Sequence, residues 1–434
     1  MSKPPTLGIV SLGCAKALVD TERLLAALGR NFRFSSSYEN ADAVLINTCG
    51  FIEEAEEESF AVIGEALDKN GQVIVMGCLG ARKEKVKSRF PEVLAVVGPD
   101  DVAGVLQALR QIFPRMASEG TGNAPIQLTP AHYAYLKIAE GCNHTCTFCI
   151  IPQLRGPLHS RKVGDILQEA ERLVQNGVQE LLVIAQDSMA YGVDLRYRSD
   201  FWQTKIVKTE ILALLRLLGD LGVWVRLHYV YPYPKVESLL ALMQDGLLLP
   251  YLDMPLQHSS PKILSLMKRP AYTETMLERL QNWRRLLPDL TIRSTFIVGF
   301  PGETEEDFAH LLQFLDAAQL DRVGCFTYSP IEGAKANELP FLVPEALKEE
   351  RKMRLMAHQA AISARRLQRF VGKTIEVMID ELTEDGAIGR SQGDAPEVDG
   401  VVEIRGATTQ KPGQRVKVRI EGSTDHDLWG SVAS

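Results

Sequence analysis

Three cysteines stand close together in the stretch "YLKIAEGCNHTCTFCIIP", at Cys142, Cys146 and Cys149. The apolar run before them predicts a buried strand, so the loop after it can direct all three thiolates at one centre. Thiolates at this density suit an iron-sulfur cluster, and a cubane with three protein ligands leaves one iron free for a substrate or cosubstrate. Zinc with His144 as fourth ligand is the competing interpretation, although zinc motifs usually come as paired sets and no second pair lies nearby.

A second group of cysteines is spread along the N-terminal part of the chain. Cys14, Cys49 and Cys78 each follow a predicted strand and each adjoins a glycine. Parallel strands place their carboxyl ends on one edge of the sheet, where open α/β sheets bind ligands, so these residues can meet in space. A single free cysteine is often only a buried core residue. Three at equivalent strand ends favour a shared ligand site instead.

The elements that must position these cysteines predict an α/β protein of three domains. From Leu7 to about Arg115, short apolar runs alternate with helical patterns, which predicts a doubly wound parallel sheet in a domain spanning 5–115. The polar, proline-bearing segment "RMASEGTGNAPIQLTP" predicts a linker. A second domain, 128–365, alternates six predicted strands with helices, as in a partial (βα)6 barrel two units short of the full repeat. The third, 368–434, predicts a small antiparallel β-barrel.

A long insertion, "GVDLRYRSDFWQTKIVK", interrupts the second domain at the predicted carboxyl face of its barrel. Loops at this face carry the active sites of βα barrels. We therefore predict that the insertion is a substrate-binding or lid element rather than part of the core.

Composition limits the class of protein and its location. The 434-residue chain is 45 % hydrophobic and has a net charge of −7, which indicates a globular chain and argues against a general polyanion binder. The N-terminus "MSKPPTLGIVSLGC" lacks the apolar core of a signal peptide, and no apolar run has membrane-spanning length. We expect a cytoplasmic protein without a membrane partner, whose reduced thiols serve as ligands or nucleophiles.

The cysteine motif after the first barrel strand resembles the signature of radical S-adenosylmethionine (SAM) enzymes. The resemblance implies a 4Fe-4S cluster on Cys142, Cys146 and Cys149, whose free iron chelates SAM so that an electron can split it to a 5′-deoxyadenosyl radical. It also implies SAM-binding positions in "IAQDS" and in "FIVGFPGETEEDF", where glycines allow close backbone approach. These positions are Gln186, Asp187, Gly299, Gly302 and Glu303.

The segments "SLGCAKALVDTE", "INTCGFIEEAEEES" and "MGCLGARKEK" resemble the amino-terminal domain of methylthiotransferases, and the last domain resembles their TRAM module. This implies a second 4Fe-4S cluster, on Cys14, Cys49 and Cys78, where one SAM methylates cluster-bound sulfur. The radical from a second SAM then removes hydrogen from the carbon that takes the methylthio group. The family's usual proline and asparagine near the first cysteine are Ala15 and Ala17 here, and neither supplies a ligand.

Two branches of this family differ in substrate: an adenosine beside the tRNA anticodon, or an aspartate β-carbon of small-subunit ribosomal protein twelve. From Val371 to Ser434 the chain has seven basic and twelve acidic residues, which disfavours tRNA docking and complements a basic protein. The segments "GRSQGDAPEVDG", "LDMPLQHSS" and "CAKALVDTE" also resemble the ribosomal-protein branch. We predict the ribosomal protein as substrate, tRNA as the alternative, and His258 as a candidate for positioning substrate.

The resemblance further implies an electron donor and a sulfur source as partners. It leaves open whether the ribosomal protein is modified free or on the ribosome. An iron-sulfur electron carrier or sensor is a hypothesis of another class, but such proteins normally close their clusters with four protein ligands. The seventh cysteine, Cys325, lies within a predicted strand and is expected to fill the core.

Overall fold

The computed structural model describes residues 3–114, 126–270, 273–406 and 409–433. Most of the predicted linker, at 115–125, lies outside the described residues. Within the described ranges, no helix is long and apolar enough to cross a membrane. The described elements form an N-terminal sheet, a central barrel and a C-terminal barrel, and the domain boundaries given above stay a prediction.

The N-terminal unit is a parallel sheet covered by helices on both faces. Its strands are β1 (Thr6–Ser11), β2 (Arg33–Ser35), β3 (Ala43–Thr48), β4 (Val73–Gly77) and β5 (Ala95–Val96). Its helices are α1 (Ala15–Leu28), α2 (Glu53–Lys69), α3 (Lys83–Arg89) and α4 (Val102–Ile112). The strand order is β2-β1-β3-β4-β5, and separate apolar cores lie on the two faces. The central strand β3 is therefore buried along its whole length, as expected for a doubly wound sheet.

Six parallel strands form the central unit, as the sequence predicts. They are β6 (Tyr133–Lys137), β9 (Glu180–Ile184), β12 (Trp224–Leu227), β13 (Tyr251–Asp253), β14 (Thr291–Val298) and β15 (Arg322–Thr327), paired as β12-β9-β6 and β13-β14-β15. Outside them pack α6 (Val163–Gln175), α7 (Ile211–Gly219), α8 (Glu237–Gln244), α10 (Thr273–Leu286), α11 (Glu305–Ala318) and α12 (Glu345–Leu367). One large apolar core fills the space between strands and helices.

Short helices and strands lie in the loops that follow the carboxyl ends of the barrel strands. They are β7 (Ala139–Glu140), β8 (His159–Ser160), α5 (Ile151–Arg155), α9 (Pro261–Leu266) and a hairpin of β10 (Ser199–Trp202) and β11 (Lys205–Lys208). The hairpin is the predicted insertion, and its function as a substrate or lid element stays a prediction. Cys325 is buried in the core beside the outer helices, as expected.

The C-terminal unit is a closed five-stranded barrel. Its strands are β16 (Thr374–Thr383), β17 (Gly386–Ser391), β18 (Val402–Arg405), β19 (Arg415–Ser423) and β20 (Leu428–Val432), in the order β16-β17-β18-β20-β19. All neighbouring pairs are antiparallel except β18 and β20, which run parallel.

This C-terminal barrel docks on the amino ends of the central strands, opposite the cysteine loops. Arg390 Nη1 lies 2.7 Å from Oε2 of Glu180, the first residue of β9. Tyr251, the first residue of β13, donates its hydroxyl to Asp399 Oδ2 at 2.6 Å. Asp394 pairs with Arg322 and Asp399 with Arg293, so two acidic residues of this unit are neutralised by the central barrel. The unit presents less negative charge to solvent than its composition indicates.

Candidate functional site

The N-terminal cysteines lie at the carboxyl edge of three adjacent strands, as the sequence predicts. Cys14 lies between β1 and α1, and Cys49 and Cys78 directly follow β3 and β4. Gly13 has φ +93°, and a Cβ there would lie 3.0 Å from Cys49 Cβ. Glycine is therefore required for the β1 loop to bring Cys14 beside Cys49.

The barrel cysteines occupy the loop between β7 and α5. The Cys142 amide donates to Gly156 O at 3.1 Å, and the Cys149 amide donates to Cys146 O at 3.1 Å. The His144 amide lies 3.4 Å from Cys142 Sγ. The loop thus folds back on itself, and Cys142 and Cys146 lie near enough to Cys149 to oppose ionisation of its thiol.

His144 is engaged elsewhere and does not complete a zinc site. Its Nε2 lies 2.8 Å from Asp187 Oδ2, and its ring stacks on Tyr231 at 4.0 Å between centroids. Tetrahedral zinc, with Zn–S bonds of about 2.3 Å, needs ligand atoms less than about 4 Å apart. In the described ranges, no three ligand atoms drawn from the cysteines and His144 lie within 4.8 Å of one another. A cubane does not require its ligand atoms to lie so close, because they bind irons at separate corners.

A short helix links the two groups of cysteines. Helix α5 begins two residues after Cys149, and Ile150 and Leu154 pack against Cys78. At its end, Arg155 directs Nε at Cys78 Sγ, 3.2 Å away. The two trios are therefore neighbours across the seam between the units. Sequence reasoning did not identify Arg155, and the only signal available was its place in "IIPQLRG" after the third cysteine.

Arg155 also belongs to a buried ionic network. Its Nη1 donates to Asp20 Oδ2 at 3.1 Å and to Glu140 at 3.0 Å. Lys137 forms ion pairs with both acids and with Asp100. The Lys137 ammonium group is therefore the cation that these three carboxylates hold. Burial alone would raise the pKa of Glu140, but Lys137 and Arg155 outweigh it and lower that pKa to about 2. The network ties α1 to the barrel and reaches Cys78 through Arg155.

The same charges act on the N-terminal thiols. Burial opposes ionisation of Cys14, but Lys16 and Arg155 outweigh it and lower the pKa of this thiol. Burial dominates at Cys78 and raises its pKa to about 11, although Arg155 acts against it. Of these two thiols, Cys14 is therefore the easier to convert to the thiolate, the form that ligates metal.

The predicted SAM-binding residues lie at the carboxyl ends of β9 and β14. Gln186 donates to Glu140 in the network, and Asp187 accepts from His144 and from the Tyr233 hydroxyl at 2.7 Å. These two residues therefore adjoin the barrel cysteine loop. Whether they contact SAM stays a prediction.

Glu303, Gly299 and Gly302 follow β14 in one turn, and part of this turn is structural. The buried Glu303 carboxylate accepts from the Gly299 amide at 3.0 Å and from Arg351 at 2.8 Å. A Cβ on Gly299 would lie 2.3 Å from Lys348 Cγ, so the close approach that requires this glycine is to α12. Gly302 has φ +85°, and a Cβ there would meet Leu266 Cδ1 at 3.5 Å, an ordinary contact, so its backbone conformation rather than crowding favours glycine. A SAM contact of this turn stays a prediction.

A cavity of about 500 Å³ opens at this face of the barrel. It is lined mainly by apolar and aromatic residues, among them Tyr231, Tyr233 and Met276, and its polar groups include His258 and Arg269. His258 Nδ1 accepts from the Ser260 amide at 2.9 Å, and its Nε2 lies 3.3 Å from Glu303. The histidine is therefore fixed by its neighbours while it lines the cavity, and its role in positioning substrate stays a prediction.

Comparisons with known proteins fit these features. Family models match for the radical SAM superfamily at 136–315, the TRAM domain at 371–433 and the uncharacterized protein family UPF0004 at 6–98. Curated relatives named ribosomal protein uS12 methylthiotransferase RimO match along the whole chain. The one from Alkalilimnicola ehrlichii is 58 % identical over 99 % of this chain and 98 % of its own. The one from Pseudomonas aeruginosa is 56 % identical over all of both. The chain belongs to the RimO family.

Membership of the RimO family confirms the predicted enzyme class, a radical SAM methylthiotransferase with SAM and 4Fe-4S clusters as cofactors. Among solved structures, the radical SAM methyltransferase TsrM from Kitasatospora setae matches with a TM-score of 0.52 and 14 % identity, over 76 % of this chain and 77 % of its own. That likeness supports the fold alone. The fold class is confirmed, and the ligand and SAM-contact residues stay predictions.

Proposed function

We propose that this protein adds a methylthio group to the β-carbon of an aspartate in ribosomal protein uS12. The observation that carries the proposal is the adjacency of two open cysteine trios in a chain that matches RimO relatives from end to end. The names of these relatives favour the ribosomal protein over tRNA as substrate. An electron carrier has no need of two such sites beside a cavity.

The residues present fit two clusters. Cys142, Cys146 and Cys149 would hold one, and a second trio at the sheet edge would hold the other: Cys14, Cys49 and Cys78. When bound, the clusters and SAM supply the radical and the methyl and sulfur transfer, as cofactors do for the hard steps of many enzymes. The chain itself holds the two centres together through α5 and keeps water out of the seam with the buried apolar contacts of Ile150 and Leu154.

The partners beyond uS12 follow from this chemistry. We propose an external electron donor, a sulfur source, and uS12 presented on a ribosome or its assembly intermediate in the cytoplasm. No described residue of the C-terminal barrel is among those that line the 500 Å³ cavity at the carboxyl face, so this barrel leaves the cavity open to such a partner.

Mass spectrometry tests the proposal. The reconstituted protein is incubated without oxygen with SAM, reductant and sulfide, and is offered either uS12 or unmodified tRNA. A methylthio mass gain on an aspartate-containing peptide is expected. Cys14→Ala should abolish this gain but keep SAM cleavage, whereas Cys142→Ala should abolish both. A gain on the tRNA nucleoside alone would contradict the proposal.

A further inference from the structure

A small pocket lies where all three units meet, beside Cys14. The N-terminal unit contributes the β1 loop and the start of α1, and the barrel contributes Tyr135 and the segment 128–130. The C-terminal unit contributes Glu397. The pocket measures about 140 Å³, below the range of about 300 to 1,000 Å³ typical of small-molecule sites. It therefore suits the end of one side chain rather than a nucleotide or cofactor.

Two buried tyrosines hold the Glu397 carboxylate. Tyr133 donates to Oε1 at 2.9 Å and Tyr135 to Oε2 at 3.3 Å. Burial, and then the charge of Glu397, raise the pKa of both phenols, so both remain protonated donors. Glu397 itself is exposed, with φ +70°, a conformation that costs a non-glycine residue about 1 to 2 kcal/mol. The two tyrosine hydrogen bonds therefore hold the carboxylate in place although the residue is exposed.

Glu397 differs from the other acids of its loop in lacking a cationic partner. Asp394 pairs with Arg322 and Asp399 with Arg293. Among the described residues, no lysine, arginine or histidine forms an ion pair with Glu397. A carboxylate that is fixed by neutral donors at the mouth of a pocket has its charge available for a ligand.

We propose that Glu397 binds a lysine or arginine side chain of the protein substrate and so orients the target aspartate beside Cys14. This inference rests on the proposed function and names the chemistry by which the substrate is recognised. Ribosomal proteins are rich in lysine and arginine because they neutralise RNA phosphates. A charge-assisted hydrogen bond to a held carboxylate is short and directional. Such a contact can decide which residue of a flexible protein segment is placed beside Cys14. A nucleic-acid phosphate would be repelled at this position.

The test compares Glu397→Gln with the unaltered enzyme on intact uS12. The amide keeps an acceptor for the tyrosines but removes the charge. Loss of a hydrogen bond between charged groups corresponds to a rise in KM of about tenfold or more, with kcat at saturating uS12 nearly unchanged. Iron content and SAM cleavage without uS12 should remain at the level of the unaltered enzyme.

Glu384→Gln is the matched control, because Glu384 is an exposed carboxylate in the turn between β16 and β17 of the same unit. If the acidic unit attracts uS12 only through its overall charge, both variants will raise KM equally, and the proposal is overturned. An unchanged KM in Glu397→Gln also overturns it. Absence of methylthio product with the unaltered enzyme contradicts the proposed function instead, so the two failures are distinguishable.

A second experiment identifies the cation. Each lysine and arginine near the target aspartate of uS12 is replaced by glutamine and assayed with both enzymes. The partner of Glu397 is the residue whose replacement raises KM for the unaltered enzyme but not for Glu397→Gln, since coupled pairs are non-additive. Additive effects at every position would refute a direct pair.

Discussion

Removal of the Arg155 guanidinium should weaken iron binding at the cysteines of the N-terminal unit. In Arg155→Gln, Cys78 loses a charged donor now 3.2 Å from its sulfur. Asp20 and Glu140 would then share the single cation of Lys137. The guanidinium Nη2, which is buried without a hydrogen-bond partner among the described residues, also disappears from the space beside the thiols.

The expected loss of iron affinity follows from the hydrogen bond between Arg155 and Cys78. A hydrogen bond to a charged group contributes about 1.5 to 3 kcal/mol, and about 1.4 kcal/mol corresponds to a factor of ten. Iron should therefore be held about 10- to 100-fold more weakly, which is also the usual effect of changing a residue that supports a metal ligand. The loss of one partner of a buried ion pair also destabilises the contact between the N-terminal unit and the central barrel by about 3 to 5 kcal/mol.

The assay isolates the N-terminal site. With the barrel cysteines Cys142, Cys146 and Cys149 replaced by alanine, the protein is reconstituted with iron and sulfide and challenged with a chelator. Iron release should be at least about tenfold faster in Arg155→Gln than in its parent.

Arg161→Gln is the control, because Arg161 binds Lys137 O at 2.6 Å and Glu169 but no cysteine. Equal release rates in Arg155→Gln and its parent would show that Arg155 does not support the iron site. A similar acceleration in Arg161→Gln would show that the effect is only a loss of packing.

Two further predictions concern residues away from the clusters. Cys325→Ala should leave iron content and methylthio transfer unchanged and lower the free energy of unfolding by about 1 kcal/mol, since it removes one buried atom; loss of iron would show that Cys325 is a ligand. Burial opposes ionisation of Asp253, but the His228 hydrogen bond and Arg293 lower its pKa to about 2. Its charge therefore stabilises the fold, by about 2 kcal/mol, at pH values above the unfolded pKa near 4, and this contribution disappears as the pH falls toward 2. The difference in thermal stability between the unaltered protein and Asp253→Asn should shrink between pH 5 and pH 3; a constant difference would contradict the assigned cause.

Features that depend on local pattern follow from the amino-acid sequence. Apolar runs alternating with helical periodicity are set by which face of each element is buried, so the sheet, the partial barrel and the terminal barrel were all predictable. The positions of the six cysteines predicted as ligands, after strands, followed from the same pattern. Strand direction then placed Cys14, Cys49 and Cys78 on one sheet edge without any knowledge of packing.

The way in which the three units meet depends on tertiary packing. The contact of Arg155 with Cys78 joins residues 77 positions apart, and the Tyr135 contact with Glu397 joins residues 262 apart. No periodicity in the chain encodes such pairs, because they depend on the orientation of one packed unit against another. For the same reason, composition could not reveal that Asp394 and Asp399 form ion pairs with arginines of the barrel, whereas the Glu397 carboxylate remains available to a ligand.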